Sequence, residues 1–110
     1  MFIMRTKKGD KMTYLDSSKN FDDIISNGKV VVDFFAEWCG PCKMLGPVLE
    51  EVSKNNPDVK FLKVDTDEYE DIARRFGIMS IPCIKVFQDG KEVKSTVGFM
   101  DKKTLEDFIK

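Results

Sequence analysis

The segment from Lys29 to Ala36 constrains this chain more than any other. It reads Lys-Val-Val-Val-Asp-Phe-Phe-Ala, and its apolar residues do not alternate with polar ones. A strand wet on one side shows a period of two. A continuous apolar run belongs to a strand covered on both faces. Covering both faces takes a helical layer on each side of a sheet, which makes the fold class α/β. At 110 residues the chain has room for one such domain.

The remaining segments fit that frame. Met12 to Leu15 reads as a short strand. Asp16, Ser17 and Ser18 offer caps for a helix with Phe21, Ile24 and Ile25 on one face, and Gly28 suits the position just past it. Gly40 to Asn55 reads as a long helix with Leu45, Val48, Leu49 and Val52 inward, and Pro47 inside it is expected to kink it. Val59 to Asp65 is another strand. Asp67 and Glu70 have capping-box spacing and are expected to open a short helix through Ile72, Ala73 and Phe76, ended by Gly77. Cys83 to Phe87 and Glu92 to Val97 read as strands joined by the turn Gln88-Asp89-Gly90-Lys91. Asp101 caps a last helix whose Leu105, Phe108 and Ile109 face inward. The order β-α-β-α-β-α-β-β-α gives a central mixed sheet flanked by helices on both faces.

Residues 1–11 stand apart, with Arg5, Lys7, Lys8 and Lys11 against Asp10 alone. They read as a disordered N-terminal extension, leaving residues 12–110 as the domain. The apolar Phe2-Ile3-Met4 precedes the charges, the reverse of a secretory signal.

Several classes of function drop out. The sequence has no histidine, which removes Ser-His-Asp and Cys-His catalysis and His-ligated metal or haem sites. A formal net charge of -1 makes no case for nucleic-acid binding. No apolar run approaches the ~20 residues of a membrane helix. Three cysteines are an odd, small number for a secreted disulfide scaffold.

Two of those cysteines lie in Trp38-Cys39-Gly40-Pro41-Cys42, where a strand hands over to a helix. Cysteines at this spacing can close a disulfide across one helical turn. Cys39 falls at the helix N-terminus, where unpaired backbone N–H groups and the helix dipole favour a thiolate. Cys42, one turn in, is expected to be the more buried and less acidic. An exposed nucleophile beside a shielded resolving thiol suits thiol–disulfide exchange. Half of a zinc site and a pair of plain structural cysteines remain as alternatives.

The stretch Asp33-Phe34-Phe35-Ala36-Glu37-Trp38-Cys39-Gly40-Pro41-Cys42-Lys43 closely resembles the active-site segment of thioredoxins. The likeness extends from about Met12 to Lys110 through Pro47, Lys63-Val64-Asp65, Ile81-Pro82, Asp89-Gly90 and Val97-Gly98. It implies the thioredoxin fold and a general protein-disulfide reductase with a redox-active Cys39–Cys42 disulfide and no bound cofactor or metal. Cys39 would attack the substrate and Cys42 would resolve the mixed disulfide. Asp33 matches a buried carboxylate; burial raises its pKa and suits it to act as base for Cys42. Lys63 matches the lysine beside it. Ile81-Pro82 matches a cis-proline loop whose backbone pairs with substrate. Trp38, Gly40, Pro41, Ile81, Pro82 and Gly98, with Phe99 beside them, would form the docking face. Gly40-Pro41 lacks the histidine that stabilises the thiolate in oxidising relatives, which favours the reductant role.

The same resemblance implies disulfide-containing protein substrates, a thioredoxin reductase as electron donor, a cytoplasmic location and a monomer. It implies neither a nucleic-acid nor a membrane partner. Two departures stand out. Phe35 replaces a tryptophan common in the family. Cys83 replaces a threonine after the proline, and is expected near the redox pair, as an inert small side chain or as a regulatory thiol able to pair with Cys42. An oxidising or isomerising relative and a partner subunit valued for its surface are the rival functions.

Overall fold

The computed structural model describes Arg5–Thr6 and residues 12–110. The elements run in chain order as strand β1 (Arg5–Thr6), strand β2 (Thr13–Tyr14), a 3-10 turn (Ser18–Asn20), helix α1 (Phe21–Ile25), strand β3 (Lys29–Phe35), helix α2 (Gly40–Asn55), strand β4 (Lys60–Asp65), helix α3 (Glu70–Arg75), strands β5 (Cys83–Gln88) and β6 (Lys91–Val97), and helix α4 (Lys102–Ile109). The sheet order is β1-β2-β4-β3-β5-β6. Strands β2, β4 and β3 are parallel, while β5 runs antiparallel to β3 and to β6.

The apolar run makes β3 a central strand. Every residue from Val30 to Phe35 is buried, because β3 has a strand on each side and helices above and below. Alternation then sorts its side chains. Val30, Val32 and Phe34 enter one core with Phe21, Ile24 and Ile25 of α1 and Ile72 of α3. Val31 enters the other, with Leu45, Leu49 and Val52 of α2 and Leu105 and Ile109 of α4. Asp33, two residues on from Val31, points toward the α2 side. Fully burying a side chain such as Phe34 is worth roughly 1.5–3 kcal/mol.

Helix α2 continues through Pro47 without interruption. At the β5–β6 turn Asp89 and Gly90 both take positive φ, +50° and +88°, as a two-residue hairpin with right-handed strand twist requires. The Asp89 carboxylate accepts the Gly28 amide at 2.8 Å, tying the hairpin to the start of β3. Asp101 caps α4 by accepting the Thr104 amide.

The capping box expected at Asp67 and Glu70 does not form. Helix α3 starts at Glu70 with Tyr69 at its cap position and no side-chain cap bond. Asp65 takes the turn donors instead, accepting the Asp67 amide at 2.9 Å, and the Asp67 carboxylate is occupied elsewhere. The disorder expected for residues 1–11 lies outside the described residues except at Arg5–Thr6. Those two residues pair antiparallel with Thr13 and Tyr14 and form the edge strand of the sheet.

Candidate active site

Strand β3 ends at Phe35, and the chain turns through Ala36-Glu37-Trp38 into α2. The turn closes when the Cys39 amide donates to the Ala36 carbonyl at 3.2 Å. Cys39 is the helix cap residue, with extended backbone, and Pro41 occupies the first turn, where its missing N–H costs nothing. The Cys42 amide donates to Cys39 Sγ at 3.2 Å. Cys39 and Cys42 are joined as a disulfide, with Cα atoms 5.2 Å apart. On reduction, the same amide and the N-terminal end of a 16-residue helix favour negative charge on Cys39.

The sequence expectation of an exposed Cys39 fails. Cys39 is 3% exposed and Cys42 2%. Both pack with Phe35 and Ala36, and with Tyr14 and Ile81 against them. Cys39 Sγ lies 3.9 Å from the Ile81 carbonyl oxygen, so the loop ahead of β5 covers it. The two sulfurs differ in their place on the helix rather than in exposure.

Around them, Trp38 is 70% exposed, yet its indole N–H donates to Asp67 Oδ2 at 2.8 Å. Sequence reasoning assigned Asp67 to a helix cap and missed this bond. The Ile81–Pro82 peptide is cis. Pro82 is buried, and its carbonyl accepts the Gly98 amide at 2.8 Å. Ile81 is half-buried, while Gly40, Pro41, Val97 and Phe99 are exposed. The structure thus brings Trp38, Ile81 and Gly98 to one end of the sheet around the disulfide.

Asp33 is 1% exposed, and neither carboxylate oxygen has a hydrogen-bond partner among the described residues. Burial pushes its pKa up to about 6, while the Lys63 ammonium, 3.7 Å from Oδ2, pulls it down. A cleft of about 330 Å³ opens beside this pair, lined by Tyr14, Phe35, Glu37, Cys42 and Lys63 among others. The Cys42 and Lys63 side chains therefore share one water-accessible space.

Cys83 does not join this group. It is in register with Phe34, and both pack in the core on the α1 and α3 side of the sheet. The sheet stands between Cys83 and Cys42, so the two cannot pair in the folded chain. Burial also pushes the Cys83 thiol up, away from reactivity. Among the described residues, no cluster of three or more Cys, Asp or Glu is placed to hold a metal.

The Thioredoxin family model matches residues 12–110. The chain belongs to the thioredoxin family. It is 51% identical over 98 residues to the thioredoxin of Chlamydia muridarum, covering 89% of this chain and 96% of that one. It is 43% identical over 94 residues to the Bacillus subtilis thioredoxin, covering 84% and 90%. Among solved structures, a single-residue mutant of a thioredoxin from Halobacterium salinarum superposes with a TM-score of 0.84 at 37% identity, covering 96% of this chain and 93% of that one. The oxidised Plasmodium falciparum thioredoxin superposes with a TM-score of 0.80 at 42% identity, covering 87% and 92%. This thioredoxin-family chain is a thiol–disulfide oxidoreductase that reduces protein disulfides by dithiol–disulfide exchange. No helix among its described residues is long and apolar enough to cross a membrane.

Proposed function

We propose the following division of labour. The Cys39 thiolate attacks one sulfur of a substrate disulfide and forms a mixed disulfide, and the departing substrate thiolate takes a proton from solvent. Cys42 loses its thiol proton to Asp33 and attacks Cys39 Sγ. The second substrate thiolate leaves, and the Cys39–Cys42 disulfide remains. Two electrons have passed from the dithiol to the substrate. The observation that carries this reading is the Cys42 amide donating to Cys39 Sγ at the start of α2, since it stabilises charge on one sulfur of the pair and not on the other.

Asp33 suits the base role because its raised pKa of about 6 lies close to neutral. Lys63 keeps that carboxyl from rising further. Trp38, Gly40, Pro41, Ile81, Pro82 and Gly98 frame the docking face, with Pro82 contributing backbone rather than an exposed ring. A thioredoxin reductase passes two electrons from NADPH or ferredoxin to the Cys39–Cys42 disulfide and restores the two thiols, and the protein works as a monomer in the cytoplasm. Gly40-Pro41 between the cysteines supports the reducing role over an oxidising one.

The test is the reduction potential of the Cys39–Cys42 pair, read by Trp38 fluorescence in a thiol redox buffer. A potential in the range of disulfide-reducing proteins is expected; one in the range of isomerases or oxidants refutes the role and the compartment together. In parallel, Cys42→Ser should accumulate a mixed disulfide between Cys39 and substrate, detectable by mass spectrometry.

A further inference from the structure

Three side chains lie in a row across the sheet. Tyr14 of β2 is in register with Lys63 of β4, and Lys63 is in register with Asp33 of β3. The Leu15 amide, donating to the Lys63 carbonyl at 2.9 Å, pins that register. Neighbours in register project from the same face, so phenol, ammonium and carboxyl sit side by side on the face that α2 covers. Phe35, two residues on from Asp33, shares that face.

Lys63 Nζ lies 4.4 Å from the centroid of the Phe35 ring and 5.5 Å from that of Tyr14. The two rings meet edge to face, 6.2 Å apart with an 83° interplanar angle. Both ring distances are in the range where an aromatic face attracts a cation. The separation of 3.7 Å from Asp33 Oδ2 is too long for a hydrogen bond. No direct bond fixes the ammonium to the carboxylate, so their attraction is Coulombic and weakens as they part. A lysine stem is flexible, and Glu37 and Glu50 line the same cleft. An unrestrained ammonium has other carboxylates to seek.

We propose that Tyr14 is a positioning residue for the exchange reaction: its ring, braced edge-on against Phe35, walls in the Lys63 ammonium beside Asp33 and so sets the strength of the proton acceptor that serves Cys42. This rests on the assignment of Asp33 as that acceptor. The placement of Lys63 is measurable without catalysis. Of the other charged or titratable groups, Lys43 and Glu50 of α2 and Glu37 ahead of it line the same cleft as Lys63, Cys83 of β5 lies across the sheet, and Cys42 is held in the disulfide and does not titrate in the oxidised protein. Glu37 and Glu50 are the carboxylates toward which a Lys63 ammonium released by loss of the Tyr14 ring would turn.

The experiment follows the Asp33 carboxyl by carbon NMR through a pH titration of the oxidised full-length chain. Wild type, Tyr14→Leu, Tyr14→Phe, Lys63→Met and the Tyr14→Leu/Lys63→Met pair are compared. Letting the ammonium drift from about 4 Å to about 7 Å at an effective dielectric near 20 raises the carboxyl midpoint by about one pH unit. Tyr14→Leu should show a rise of that order. Tyr14→Phe, which keeps the ring, should stay close to wild type, and Tyr14→Leu should add nothing once Lys63 is Met. An unmoved midpoint in Tyr14→Leu, an equal rise in Tyr14→Phe, or a rise that survives Lys63→Met overturns the proposal. Tyr14→Met replaces Tyr14→Leu if the latter does not fold. The pH profile of disulfide reduction should move with the midpoint. A fixed profile beside a moving midpoint refutes Asp33 as the acceptor, and with it the catalytic part of the proposal.

Discussion

Replacing Asp33 with asparagine keeps the side chain's shape and removes its charge, and the consequence for stability depends on pH. Asp33 is buried without a hydrogen-bond partner among the described residues, and burial raises its carboxyl from 3.8 to about 6 against the opposing pull of Lys63. At pH below 3.8 the group is protonated whether the chain is folded or not. Between 3.8 and about 6 the folded protein keeps a proton that the unfolded chain has lost, so stability falls as pH rises. Above that window both states are ionised and the folded state carries the full penalty. A shift of about two units corresponds to roughly 3 kcal/mol. The asparagine amide also lacks partners, but its cost is the same at every pH and offsets the variant's curve without tilting it.

Urea unfolding of the oxidised protein, followed by circular dichroism across this range, reads the effect directly. The stability of Asp33→Asn relative to wild type should be flat below about pH 4, climb through the window, and level off by about pH 7 roughly 3 kcal/mol above its acid value. Parallel curves for the two proteins across the window would refute the claim that Asp33 is a buried, poorly compensated charge.

Lys63→Met removes the cation that opposes desolvation, so the Asp33 carboxyl should titrate above about 6 in carbon NMR. Asp101→Ala removes the acceptor of the Thr104 amide at the start of α4 and should cost about 1 kcal/mol in urea unfolding. Cys83→Ser should leave the Cys39–Cys42 reduction potential unchanged, and peptide mapping after mild oxidation of the native wild type should find no Cys42–Cys83 linkage.

The parts of the fold set by periodicity were legible in the sequence. The unbroken apolar run of β3 announced a strand covered on both faces, and α2 begins and ends where Gly40 and Asn55 suggested. The hairpin turn was legible because Asp89-Gly90 tolerates positive φ. What depended on competition for one partner was not. Asp67 and Glu70 had the spacing of a cap, but Asp65 was better placed to accept the turn amides and Trp38 claimed the Asp67 carboxylate. At the site, the helix-terminal cysteines and the buried carboxylate could be read from their flanks. The contact of Tyr14 with Lys63 could not, since it follows from the register of two strands distant in sequence. The face on which Cys83 lies has the same origin: proximity in sequence to Pro82 suggested the redox pair, and strand parity sent the thiol the other way.

That parity has a consequence for how the protein survives its own chemistry. A chain that repeatedly makes and breaks a disulfide while carrying a third cysteine risks scrambling, in which the wrong sulfurs become joined. Before folding, the short Cys39–Cys42 loop closes with a smaller entropic loss than either long loop to Cys83. After folding, the hydrogen-bonded backbone of the sheet stands between Cys83 and Cys42. The sheet therefore acts as a partition between the resolving sulfur and the third thiol, which guards the Cys39–Cys42 pairing through repeated cycles.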